Sequence, residues 1–185
     1  MQNEPRTYEF DEQLRMSEGV ANTVNVSDIL LSQIPGAKIV SKANKTDDRN
    51  GTDWWVEMAS GQRLSIDAKI RRQDFGKNDL ALEIWSVMES NRIGWTRDPS
   101  KRTDYVLWFW RDTQRFCLLP FTMLCKVFQE HWQEWAREYK CAKQHTPNRN
   151  GGYHSECVYV PIRTVWAAIY KRYSGAANPP APREH

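Results

Sequence analysis

Residues 49–72, RNGTDWWVEMASGQRLSIDAKIRR, constrain this chain more than any other stretch. Trp54, Trp55, Val56 and Met58 are aromatic, β-branched or apolar, as a strand requires. Ser60-Gly61 supplies turn residues, and Leu64-Ser65-Ile66 resumes the extended pattern. The stretch therefore predicts a hairpin. Side chains alternate faces along a strand, so Leu64 and Ile66 share one face, and Asp67, Lys69 and Arg71 share the other. Antiparallel pairing brings Asp53, at the head of the first strand, to the Asp67 end of the second. Two carboxylates and one ammonium then converge at a sheet edge. Paired carboxylates are hard oxygen ligands for a divalent ion such as magnesium. An adjacent lysine can stabilise an oxyanion or assist a water nucleophile.

Asp53, Asp67-Ala68-Lys69 and the intervening turn resemble the PD-(D/E)xK nuclease superfamily. Its signature is an Asp at a strand start, followed on the next strand by Asp or Glu, any residue, and Lys. Thr52 stands where the superfamily usually has proline. The resemblance implies an α/β fold with a restriction endonuclease-like mixed β-sheet core flanked by helices. It implies a DNA endonuclease or exonuclease using Mg2+ or Mn2+ and leaving a 5′-phosphate. Asp53, Asp67 and the Ala68 carbonyl would hold the metal, and Lys69 would orient or activate water. The opening helix of the superfamily often adds an acidic residue, for which Glu18 is the candidate and Glu12 its rival. DNA is the implied partner, and a homodimer is compatible with the superfamily. A catalytically idle module on the same fold, binding nucleic acid or protein, is the alternative.

With 185 residues, 40% hydrophobic and 26% charged, one globular domain over residues 1–173 is expected, followed by a Pro/Ala-rich disordered tail over 174–185. A net charge of +3 permits nucleic-acid binding without demanding it. No segment reads as a signal or a membrane span, and four cysteines without a secretory leader fit a cytoplasmic protein with reduced thiols.

Along the chain, 8–33 suits one or two helices, and Pro35-Gly36 ends them. Residues 37–43 read as a strand and 44–51 as a polar connection, with Asp47 and Asp48 as turn residues. Leu80–Val87 is a further strand whose Glu83, inside an apolar run, needs a partner and is a candidate to face the site or to pair with an arginine. Residues 91–102 suit a DNA-contacting flap. Asp104–Trp110 and Phe116–Leu119 are strands. Phe121, Leu124, Cys125, Phe128, Trp132, Trp135 and Tyr139 recur at helical spacing. Val158–Val160 is a late strand, and a last helix follows to Tyr173. Lys45, Arg49, Arg71 and Arg72 near the hairpin, with Asn148 and Arg149 in a late glycine-rich loop, are the candidate phosphate contacts. Cys141, His145, His154 and Cys157 form a loosely spaced potential zinc set, expected to remain metal-free because its spacing departs from known fingers.

Overall fold

The computed structural model describes residues 6–7, 26–49, 51–71, 78–148 and 151–175, with the backbone alone at 6, 7 and 49. The expectations for Glu18, Glu12, Arg72, Arg149, the Arg49 side chain and the tail beyond residue 175 lie outside the described residues. The protein is mixed α/β, and its described residues form two five-stranded sheets where one was expected. It divides into two compact units that alternate along the chain. One comprises 16–74 and 100–122, the other 1–15, 75–99 and 123–185. No helix among the described residues is long and apolar enough to cross a membrane.

The first unit opens with helix α1 (Val26–Gln33). Its strands are β2 (Ala37–Lys42), β3 (Trp54–Met58), β4 (Arg63–Arg71), β7 (Tyr105–Trp110) and β8 (Arg115–Pro120), side by side in that order; β1 (Arg6–Thr7) belongs to the second unit. Pairing is antiparallel except between β4 and β7, which run parallel. Val26, Leu30 and Ile34, spaced four apart on α1 and the turn after it, pack on Val56, Ile66, Leu107 and Phe109. Helical and strand periodicities thus meet on one apolar face. The polar stretch expected as a plain connection contains a short helix, α2 (Lys45–Arg49). Asn44 starts it by accepting the N–H groups of Thr46 and Asp47 on Oδ1, both at 2.9 Å.

A polar staple sets the register of β4 against β7. Buried Ser65 donates its N–H and hydroxyl to Asp104 Oδ2 at 2.7 and 2.8 Å. The Thr103 hydroxyl donates to the Ser65 carbonyl at 3.2 Å. Ser65→Ala should lower stability by about 2 kcal/mol, since the hydroxyl's charge-assisted bond to Asp104 Oδ2 and its acceptance of the Asp104 N–H at 3.0 Å are both lost at a buried position. Urea unfolding checks it.

The second unit has β1 (Arg6–Thr7), β9 (Cys141–Thr146), β10 (Tyr153–Pro161), β5 (Asp79–Val87) and β6 (Arg92–Ile93), in that order across its sheet. Helices α3 (Phe121–Glu138) and α4 (Ile162–Ser174) match the helical spacing in the sequence. The Arg97 guanidinium lies over the rings of Trp85 and Trp132, at 4.6 and 4.1 Å from their centroids. Glu83 accepts the Trp95 N–H at 2.9 Å, so its carboxylate holds the start of the 91–102 segment on β5. Gly94 permits this approach: a Cβ there would lie 2.1 Å from the Glu83 carbonyl oxygen.

Residues 141–157 depart from expectation. In place of a loop and a three-residue strand, β9 and β10 form an extended antiparallel pair. CAKQHT carries little β propensity of its own; pairing with β10 and β1 imposes the extended form. The same register divides the potential zinc set. Cys141, His145 and His154 point to one face, and Cys157, opposite Ala142, points to the other.

Candidate active site

Trp54 pairs with Ile66 at the start of β3. Beyond that point the paired register ends, and β4 runs on to Arg71 with no β3 partner. The Asp53 main chain closes the ladder by donating its N–H to the Ile66 carbonyl at 2.8 Å. Its side chain then takes over from the missing strand: Asp53 Oδ2 accepts the Ala68 N–H at 2.7 Å. The N–H and C=O of one strand residue point to the same side, so the Ala68 carbonyl is also directed at this open edge.

Asp67 and Lys69 share the face of β4 opposite the α1 core, as their spacing predicts. Lys69 Nζ sits 2.8 Å from Oδ1 and 2.7 Å from Oδ2 of Asp67, a forked ion pair. Asp67 is only 7% exposed, which strengthens the pair relative to one in water. The Asp53 carboxyl is the one whose proton affinity the site raises. Burial, first, and the Asp67 charge, second, push the Asp53 carboxyl from 3.8 up to about 7, against the Ala68 N–H and the Lys69 charge.

This donor set fits a divalent cation. Two neighbouring carboxyls repel once both ionise, and a doubly charged ion held by hard oxygens cancels that repulsion. Among the described residues no group of three or more His, Cys, Asp or Glu side chains gathers to hold a metal. Two aspartates and one carbonyl are therefore the ligands this edge offers.

The other candidates are distributed as follows. Lys45, at the start of α2, and Arg71, at the end of β4, are exposed in the same unit as the two aspartates. Asn148 belongs to the second unit, where its Oδ1 accepts the Gly152 N–H at 2.9 Å. Asp47 is more than a turn residue: its Oδ2 accepts the Trp55 indole N–H at 3.1 Å. Trp55 pairs with Ser65 and shares its face, and the Arg63 guanidinium lies 4.3 Å from the ring centroid. Sequence reasoning missed this oriented indole, two residues along the chain from Asp53. Its parity with Asp53 was the available signal.

Comparison with protein-family models, curated proteins and solved structures finds no match to this chain.

Proposed function

We propose that this protein is a Mg2+- or Mn2+-dependent deoxyribonuclease of the PD-(D/E)xK type, hydrolysing phosphodiester bonds in DNA. Asp53 on the Ala68 N–H, with Lys69 lying on Asp67 one residue to either side, is the observation that carries this reading. The order α1, β2, β3, β4, with β7 parallel to β4, supports a restriction endonuclease-like core in the first unit.

Asp53, Asp67 and the Ala68 carbonyl would hold the ion. When bound, the ion polarises the scissile phosphate and stabilises the leaving oxygen. Lys69 carries three N–H donors and no acceptor, which suits it to orient the attacking water and to balance charge on the phosphate. The water oxygen bonds to phosphorus, the bond from phosphorus to the 3′ oxygen breaks, and that oxygen takes up a proton. A 5′-phosphate and a 3′-hydroxyl result.

The test is incubation of the purified protein with linear, circular, single-stranded and branched DNA, with and without Mg2+ or Mn2+. Metal-dependent cleavage that Asp67→Ala abolishes is the expected outcome. The second reading, an idle binding module, draws on Lys69 itself, which already neutralises Asp67 without a cation. Calorimetry separates the two, since an idle site takes up neither ion.

Lys45 and Arg71 would neutralise phosphates. Their joint replacement by alanine should weaken DNA binding without metal and flatten its dependence on salt by about one unit of log–log slope per lost contact. A slope equal to the parent's would move the phosphate path elsewhere.

A further inference from the structure

His145 and His154 face each other directly across β9 and β10. The His154 N–H is donated to Glu89, at 3.0 Å from each carboxylate oxygen, and so is spent away from β9. The two histidines are therefore a non-hydrogen-bonded cross-strand pair, the kind whose side chains approach most closely. Their ring centroids lie 4.9 Å apart.

Each ring is also anchored through one nitrogen. His154 Nδ1 lies 2.6 Å from Glu89 Oε1, and His145 Nε2 lies 3.1 Å from the Gly151 carbonyl. A carbonyl oxygen only accepts, and Glu89, held down to about 2 by the bonds from His154, is an ionised acceptor. Both anchored nitrogens therefore carry hydrogen. In the neutral rings the lone pairs fall on His154 Nε2 and His145 Nδ1. Gly152 makes the second anchor possible. It has a φ of +96°, and a Cβ there would lie 2.4 Å from His145 Nε2.

Two close imidazoles, each fixed by a carboxylate or a backbone carbonyl on the outer nitrogen, have the outer-shell pattern of metal-ligating histidines. We propose that His145 and His154 bind a divalent transition ion of the zinc and nickel class, with Glu89 and the Gly151 carbonyl orienting the rings. Imidazole selects these ions over magnesium. No third His, Cys, Asp or Glu joins the pair among the described residues, so water or an exchangeable ligand completes the coordination. Cys141 shares the face of the sheet, but its thiol is directed to the Ala136 carbonyl at 3.5 Å. Lys143 and Glu156, of opposite charge, lie opposite each other on the same face. This site is made of second-unit residues and stands whether or not the nuclease reading holds.

Titration of the full chain with Ni2+ or Zn2+ by calorimetry tests it. The parent should take up ion at a site that His145→Gln and His154→Gln each weaken at least tenfold. Glu89→Gln should weaken it about tenfold, the scale for losing an outer-shell partner. Asp67→Asn should leave it unchanged. In the unmodified chain, Ni2+ should broaden the ring-proton resonances of His145 and His154 before that of His131, which keeps the result independent of how the variants fold. Parent-like Ni2+ affinity in both histidine variants, or equal broadening of His131, overturns the proposal.

Discussion

Lys69→Ala is expected to slow DNA cleavage on the order of a hundredfold or more while leaving divalent-ion affinity equal to the parent's or higher. The rate loss is the usual scale for removing one charged transition-state contact. The affinity has a separate cause. In the parent, Nζ lies within 2.8 Å of both Asp67 oxygens, so an incoming cation competes with the ammonium for them. Alanine removes the competitor. Asp67→Ala should differ in kind, since it deletes a ligand: ion uptake and cleavage should fall together. Calorimetry with Mn2+, beside single-turnover cleavage, separates the two patterns. If both variants bind Mn2+ normally and cut at the parent rate, the nuclease reading of the 49–72 hairpin is wrong.

Asp53→Asn is expected to stabilise the metal-free protein at about pH 8 by roughly 1–2 kcal/mol. The folded-state value near 7 lies above the unfolded 3.8, so the folded chain binds the extra proton between them. Stability from that proton is fully present below about 4 and lost as pH rises through 7. Asparagine keeps an oxygen for the Ala68 N–H and never ionises, so the variant escapes the loss. The full shift would correspond to about 4 kcal/mol, and solvent screening reduces it. The gain should shrink toward about pH 4, where both proteins are neutral at this position. Saturating Mn2+ should narrow the gap at high pH by stabilising only the parent's ionised pair. Urea unfolding across pH, with and without Mn2+, measures all three. A variant less stable than the parent at every pH would mean that Asp53 serves packing and not a charge site.

Legibility followed the range of the interactions. The hairpin, the parity that puts Asp67 and Lys69 on one face, and helix α3 were readable because their periods of 2 and 3.6 are local properties of the chain. Asp53 could be placed at the Asp67 end for the same reason: a tight turn at Ser60-Gly61 dictates the register. What the side chains do there was not local. The Asp53 bond to Ala68 exists because β3 stops at Trp54 while β4 continues, and the rise of the Asp53 carboxyl needs burial that no spacing reveals. The second sheet was hidden more deeply. Its strand β9 is polar and is held extended by partners distant in sequence, so propensity argued against it. Four Cys and His residues at plausible spacing read as one cluster, yet a period of two sends Cys157 to the opposite face from His145 and His154. Glu89, over fifty residues earlier in the chain, becomes their neighbour only through tertiary contact. Local periodicity therefore determined which residues share a face. The pairing of distant strands decided which faces meet, because hydrogen-bond ladders between distant segments form only when the whole sheet assembles.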